Sequence, residues 1–461
     1  MRRIAMSLAL ALTAGALAFA PKAADADAAP ANGGASTAIS LPVDQYQLDN
    51  GLTVVLSRDT RLPVVAVEVR YLVGSANERP GRSGFAHLFE HLMFQGSQHF
   101  DNEYFTPFEP VGGVVNGTTN QDRTNFFERV PSNYLELALW MESDRMFHLL
   151  PALTQAKLDN QRDVVKNERR QRYENVPYGM AWVYLYQTLY PKGHPYHEPV
   201  IGSHADLSAA TLSDVKAFFH EYYVPANAVV TVVGDFEPES AKALVKKYFG
   251  VEPGGKRADV PKAALPKLDK IVSVSHTDDV KLPRIMLAWH TPALFAPGDA
   301  ELDLLSSVLT NGKTSRLYKP LVYEQKVAKD VSAFQVSQRM SSFYVVQATA
   351  APGVSVDKLE KALMAALGTA LSTPPSEDEM MRAKNGYKKG FYERIESVVS
   401  RASTLATYYQ NTGSADYIGK DLARYTGASA KDVAGAAQRY LDLKRYARIE
   451  IVPGPKAGGK P

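Results

Sequence analysis

The sequence contains no cysteine among its 461 residues. This absence excludes disulfides, cysteine-based zinc sites, iron–sulfur clusters and thiol nucleophiles. Any metal ion must therefore be held by His, Asp or Glu side chains. A chain without cysteine also suits an oxidising compartment, although the absence alone does not establish one.

The sequence also lacks a strong excess of one charge. Its 52 Lys and Arg residues nearly balance 49 Asp and Glu residues, which leaves a formal net charge of +3. Because no basic stripe stands out, nucleic acid is not expected as a partner. Hydrophobic residues make up 45% of the chain and charged residues 22%. This composition excludes a disordered or collagen-like chain and provides for a sizeable core.

Long apolar runs are absent beyond the N-terminus. Residues 1–26 have the features of a secretory signal peptide, with two arginines, an apolar segment at Ile4–Ala20 and a cleavage site at Ala24-Asp25-Ala26. A membrane anchor is the alternative, but the segment is short and built of small residues. We therefore expect a secreted, periplasmic protein with no stable membrane span. Residues 27–44 are rich in Ala, Gly and Pro and are predicted to form a flexible leader.

A segment rich in Gly, Pro and Lys divides the rest of the sequence. We predict a first domain at residues 45–250, a linker at 251–268 and a second domain at 269–455. Alternating and helical hydrophobic patterns predict the main elements. Strands are expected over Gly51–Ser57, Val64–Val73, Ala228–Val233 and Arg284–Trp289, and helices over Ser83–Gln95, Tyr134–Leu150, Thr154–Tyr173 and Leu212–Tyr223.

The two predicted domains share a weak internal repeat. A shift of 217 residues carries Pro80-Gly81 onto Pro297-Gly298, and a predicted helix follows each pair. The same shift aligns Leu88 with Leu305 and Leu92 with Leu309. Pro-Gly before a helix is common, so this signal alone is slight, but it suggests two related halves.

The clearest chemical motif is His87-Leu88-Phe89-Glu90-His91. Histidines four residues apart on a helix project from one face, so both rings can reach one metal ion. Glu90 lies on the same side and can take a proton from an attacking water without occupying a coordination position. A chance match on a surface helix is the alternative, expected about once per hundred such sequences. The surrounding apolar residues argue against it, because buried histidines need a partner or a metal.

A third protein ligand is expected for a catalytic zinc site. Glu168 is the candidate, because it shares a predicted helix face with Val164 and Val165, two turns after Gln161. A salt bridge within the helix is the alternative. The other histidines are weaker candidates. His194, His197 and His204 lie in a loop, and no ligand spacing connects His99, His148, His220, His276 and His290.

At these residues the sequence resembles the inverted-motif zinc peptidases, the family of pitrilysin, insulin-degrading enzyme and mitochondrial processing peptidase. In that family a Glu about 76 residues after the second His completes the zinc site, and 76 residues separate His91 from Glu168. The resemblance covers about residues 45–450. It implies an α+β fold of two structurally related halves, each a mostly antiparallel sheet packed by helices, with Zn²⁺ bound by His87, His91 and Glu168.

The resemblance also implies a binding site for extended peptides. Residues 112–119 look like the family's substrate-pairing edge strand, which makes Gly113, Val115, Asn116 and Thr118 the expected substrate-binding residues. A simple hairpin is the alternative.

Two departures from the family pattern stand out. Gln161 replaces a Glu that often supports the site, and we expect it to act on the metal ligands from outside the coordination sphere. Active members also carry an Arg and a Tyr, seven apart, that bind the substrate carbonyl region. Val322 and Lys329 occupy those positions here, and Lys329 or Arg316 could act in their place.

The sequence therefore predicts the zinc-holding subunit of a secreted endopeptidase. Glu90 is expected to be the general base, and a paralogous subunit without H-x-x-E-H is expected to supply the Arg and Tyr. Two alternatives stay open. One is a self-sufficient homodimeric peptidase, and the other is a non-catalytic binding or scaffold subunit, which the intact motif disfavours.

Overall fold

The computed structural model of the protein describes residues 39–454. The predicted signal peptide, and the predicted leader up to residue 38, lie outside this range. Among the described helices, none combines the length and the apolar character that a membrane span requires.

Within residues 39–454 the first half contains a six-stranded sheet in the order β1-β2-β6-β3-β5-β4. The last strand of this half, β6, lies between β2 and β3 and is parallel to β2. All other pairs of neighbouring strands in the sheet are antiparallel. Every residue of β6 is buried, because helices cover both faces of the sheet at this central position. The strands are β1 (Asp44–Gln47), β2 (Thr53–Arg58), β3 (Val64–Tyr71), β4 (Val114–Thr119), β5 (Thr124–Pro131) and β6 (Ala228–Gly234).

The helices of the first half pack mainly on one face of this sheet. They are α1 (Phe85–Leu92), α2 (Leu135–Ala152), α3 (Gln155–Arg169), α4 (Ala181–Leu189), α5 (His204–Ala209), α6 (Leu212–Tyr222) and α7 (Pro238–Phe249). The helix between β3 and β4, α1, lies against the helix α3. A single π-helical turn, Arg170–Glu174, continues α3.

The second half repeats this topology. Its strands are β7 (Val272–Asp278), β8 (Arg284–Thr291), β9 (Ala328–Val336), β10 (Ser342–Ala350) and β11 (Ala447–Pro453), and its helices are α8 (Asp299–Thr310), α9 (Val356–Leu371), α10 (Glu377–Glu396), α11 (Val398–Thr412), α12 (Ile418–Gly427) and α13 (Ala430–Tyr440). The sheet order among the described residues is β7-β11-β8-β10-β9. Strand β11 is parallel to β7 and antiparallel to β8, as β6 is to β2 and β3 in the first half. The predicted α+β fold of two related halves is confirmed.

One helix of each half packs against the sheet of the other half. Helix α4 packs Leu185 and Leu189 against β8, β10 and β11 of the second sheet. Helix α11 packs Leu405 and Tyr408 against β2 and β6 of the first. Both sheets are therefore covered on two faces, which explains why the central strands β6 and β8 are almost entirely buried.

Several predicted elements differ from the structure in their limits. The helix expected over Ser83–Gln95 spans only Phe85–Leu92, because Gly84 precedes it in a left-handed conformation and the chain turns at Gly96, also at positive φ. The helix expected over Thr154–Tyr173 becomes a π-turn after Arg169. Residues 250–271 contain neither helix nor strand. The predicted linker at 251–268 falls within this stretch, and the domain boundaries stay predictions.

Candidate metal centre

Helix α1 is held deep in the first half by a close backbone contact at its start. Gly84 has φ +86°, and a Cβ atom there would lie 2.9 Å from both the Cα of Gly202 and the carbonyl oxygen of Ile201. Only glycine fits this conformation without strain. The contact fixes the direction of α1, whose apolar residues Phe85, Leu88 and Leu92 are buried in the core.

The two histidines of the motif face helix α3, as the spacing predicts. The rings of His87 and His91 lie 4.8 Å apart between centroids and nearly perpendicular. Glu168 reaches both, with its Oε1 3.7 Å from His87 Nε2 and its Oε2 3.2 Å from His91 Nε2. One ligand atom from each residue lies within 4.8 Å of the others. The three side chains therefore converge on a volume that one metal ion could occupy.

The donor atoms of this cluster fit a metal ion. His87 Nδ1 is buried without a hydrogen-bond partner, a costly arrangement for a polar atom. Burial and the neighbouring His91 lower the pKa of His87 to about 3, although Glu168 acts in the opposite direction. Burial opposes ionisation of Glu168, but His91, His87 and Arg172 together lower its pKa to about 2. A neutral imidazole and an ionised carboxylate are the forms that bind divalent metal.

Gln161 contacts the cluster from outside. Its Oε1 lies 3.3 Å from His91 Nδ1, on the side of the ring opposite Glu168. Gln161 is buried on α3 together with Leu158 and Val165. The prediction that Val164 shares this buried stripe is wrong, because Val164 points to solvent with 40% of its surface exposed. The buried side of α3 follows residues 158, 161 and 165, at helical spacings of three and four.

Glu90 is buried beside the cluster without joining it. Thr119, the last residue of β4, donates its hydroxyl hydrogen bond to Glu90 Oε2. Burial raises the pKa of Glu90, and His91, Thr119 and Arg123 oppose that rise. A carboxylate with a raised pKa next to a metal site is suited to accept and return a proton.

Two further contacts complete the site: the salt bridge within the helix that was the alternative role considered for Glu168, and a contact from β4 that was not predicted. Arg172 Nη1 lies 2.6 Å from Glu168 Oε1, one helical turn further along the chain. The i,i+4 spacing of these residues was a visible signal for this pair. The contact of Thr119 with Glu90 had no local signal, because it depends on how β4 lies against α1.

Strand β4 forms one edge of the first sheet, so the hairpin around it has an open side. Asn120 N–H donates to the carbonyl of Arg123 at the turn. Along the antiparallel pair, opposite residues then alternate between hydrogen-bonded and non-hydrogen-bonded pairs. Backbone groups of Val115, Gly117 and Thr119 therefore point to the open edge. The N–H of Gly117 is capped by the side chain of Asn116, 2.8 Å away.

The predicted substrate-binding residues are only partly placed at this edge. Val115 presents its backbone there, whereas Asn116 and Thr118 direct theirs toward β5. Gly113 lies before the strand, and its N–H donates to the carbonyl of Phe108 at 2.8 Å. The sequence located the strand correctly but not the alternation, which the hairpin turn sets.

Of the described residues considered as replacements for the missing Arg and Tyr, Lys329 is the remaining candidate. Val322 is half-buried against the second core, and Lys329 is exposed on β9. All five N–H groups of Arg316 are engaged, by Glu379 and by the carbonyls of residues 370, 373 and 374. Arg316 therefore has no donor left for a substrate carbonyl.

Comparisons with known proteins agree with this architecture. A family model described as insulinase (peptidase family M16) matches residues 53–195, and one described as peptidase M16 inactive domain matches residues 209–387. The zinc protease PqqE of Helicobacter pylori is 32% identical over 418 residues, 89% of this chain and 93% of that protein.

Solved structures resemble the chain over most of its length. A protease from Helicobacter pylori has a TM-score of 0.83 and 28% identity, covering 90% of this chain and 100% of that one. The periplasmic protease PqqL from Escherichia coli has a TM-score of 0.73 and 20% identity, covering 90% of this chain but 48% of PqqL. The fold thus corresponds to about half of PqqL.

Replacing Gln161 is expected to weaken metal binding. Gln161→Ala removes the contact to His91 Nδ1 that orients the ring, and such outer contacts contribute about 10–100-fold to metal affinity. Competition with a chromophoric chelator measures the zinc affinity of each variant. Gln155→Ala, at an exposed glutamine of the same helix, is the control. Equal affinities for both variants would contradict the role of Gln161.

Proposed function

Because the chain belongs to the M16 peptidase family, we propose that it is the zinc-holding subunit of a secreted, periplasmic endopeptidase. The family match confirms the resemblance drawn from the H-x-x-E-H motif. Secretion is supported by the signal-peptide pattern of residues 1–26.

The observation that carries the proposal is the convergence of His87, His91 and Glu168 next to a separate buried carboxylate, Glu90. Three protein ligands of His and Glu type leave a position open, which is the arrangement of catalytic rather than structural zinc sites. The buried ring nitrogen of His87 without a partner, and the approach of Glu168 to both histidines, support the assignment of zinc to this cluster. The relatives named zinc proteases support the same ion.

A zinc ion held by His87, His91 and Glu168 would supply Lewis-acid activation of water and of the substrate carbonyl. Glu90 takes the proton of the attacking water, and we assign Oε1 as the accepting atom because Thr119 holds Oε2. Glu90 then returns the proton to the leaving amine nitrogen, so the carboxylate ends the cycle as it began. Thr119 keeps the carboxyl group oriented during both transfers.

The open edge of β4 is proposed to bind the peptide. An extended substrate would pair with the backbone groups of Val115, Gly117 and Thr119, adding a strand to the sheet. Carbonyl binding at Gly117 would displace the side chain of Asn116 from its N–H. Because main-chain pairing is indifferent to side chains, selection favours extended, unfolded peptides over a particular sequence.

Glu90→Gln is expected to abolish peptide hydrolysis while zinc stays bound. The amide keeps the size of the side chain but cannot accept the proton, and loss of general-base catalysis costs about 10²–10⁴-fold or more. Hydrolysis of a quenched fluorescent peptide and zinc content are measured together. Glu103→Gln, at an exposed glutamate, is the control. Substantial hydrolysis by Glu90→Gln would refute the assignment.

Val115→Pro is expected to impair substrate binding without disrupting the sheet. Proline removes an N–H that points to the open edge, where an edge strand tolerates it, so one substrate hydrogen bond of about 1 kcal/mol is lost. We expect kcat/KM to fall about fivefold, with zinc content and thermal stability unchanged. A kcat/KM equal to that of the unmodified chain would argue against pairing along β4.

The missing Arg and Tyr support a further part of the proposal, a partner subunit that supplies them. Val322 has no hydrogen-bond donor in its side chain, and Arg316 has none free. The purified chain is therefore expected to cleave peptides slowly and to gain activity when mixed with a paralogue that retains the pair.

The same mixture distinguishes the alternatives. Full activity of the chain alone, as a homodimer, would overturn the division of labour, and Lys329→Ala would then test the remaining candidate. Zinc binding with no hydrolysis in any mixture would favour a binding subunit.

A further inference from the structure

A second cluster of metal-ligating side chains lies outside the site described above. One ligand atom each of His99, Asp144 and His148 lies within 4.8 Å of the others. No ligand spacing in the sequence connects His99 with His148, because 44 residues lie between His99 and Asp144 and the residues meet only through tertiary structure.

Helix α2 and the loop after α1 build this cluster together. Asp144 and His148 lie one turn apart on α2, so their side chains share a side of the helix. The N–H of Gln98 donates to the carbonyl of His148 at 2.9 Å and holds the loop against the helix. His148 itself has non-helical torsions, φ −125° and ψ 21°. Pro151 follows three residues later and cannot donate a helical hydrogen bond, which explains the distortion.

The side chains are already arranged as ligands with a supporting contact. His99 Nδ1 lies 2.5 Å from Asp144 Oδ1, and the imidazole rings of His99 and His148 are 4.8 Å apart and nearly perpendicular. The hydroxyl group of Ser97 donates to the other oxygen of Asp144, in the way that second carboxylate oxygens are held in metal sites. Asp144 is buried, with 3% of its surface exposed, whereas His99 is exposed.

We propose that His99, Asp144 and His148 bind a second divalent transition-metal ion, of the zinc, nickel or copper class. Two imidazoles and one carboxylate are a ligand set that these ions prefer. The exposed side of His99 leaves room for water to complete the coordination. The ion would take the place of the hydrogen bond between His99 Nδ1 and Asp144 Oδ1. It would tie the loop after α1 to α2.

A simple ion pair between His99 and Asp144 is the competing explanation. An ion pair requires neither His148 nor Ser97 at the same point, and it needs a protonated imidazole. Metal binding instead uses all three side chains and releases a proton. Measurement of bound metal separates the two explanations directly.

The test uses the full chain with the first cluster disabled. His91→Ala removes a ligand of the first cluster, so zinc retained after dialysis reports on the second. We expect one zinc ion per chain in His91→Ala and two in the unmodified chain. In His91→Ala/His99→Gln the affinity should fall at least about tenfold, since even outer contacts contribute that much. His99 is exposed, so this substitution leaves the fold intact.

A matched control and a second readout complete the design. His91→Ala/His220→Gln removes an exposed histidine remote from either cluster in sequence and should retain one ion. Zinc should raise the melting temperature of His91→Ala but not of His91→Ala/His99→Gln. Absence of zinc from His91→Ala, or equal affinity with and without His99, would overturn the proposal.

Discussion

The burial of polar groups on α1 is the constraint on which the first half depends. His87, Glu90 and His91 lie on a short helix whose other residues are core side chains, and buried polar groups must find partners. Glu168 from α3 and Thr119 from β4 supply them. The same three side chains thus contact both α3, which packs on α1, and the edge strand β4. The glycine contact at the start of α1 sets the depth at which they meet.

The second half shows what this fold becomes without that constraint. Under the internal repeat, His87, Glu90 and His91 correspond to Leu304, Ser307 and Val308 of α8. Leu304 and Val308 are buried in an apolar core, so no carboxylate is needed opposite them. The topology is unchanged, because it rests on strand order and on the exchange of α4 and α11 between the sheets. The strand order of a half therefore does not depend on the polar residues of the metal site.

The limits of prediction follow the same division. Spacing along a helix places His87 and His91 on one face, and the family pattern identifies Glu168. The direction of the backbone groups on β4 depends on the length of the hairpin turn, because a shift of one residue would reverse which groups face the open edge. The meeting of His99 with His148 depends on a distorted turn and a loop bond. The exposure of Val164 shows that the buried side of a helix cannot be assigned from hydrophobic spacing alone. The elements that pack against the helix must also be known.

The electrostatics of Glu90 show why its surroundings are mixed rather than apolar. Burial alone would raise its pKa and keep the group protonated, so that it could not accept a proton. His91, Thr119 and Arg123 favour the ionised form, while Glu168 opposes it. Burial lowers the pKa of Arg123 to about 10, so the guanidinium stays charged at neutral pH. A general base works best when its pKa lies near the working pH, and opposing influences of this kind hold the group between its ordinary value and that of a fully buried acid.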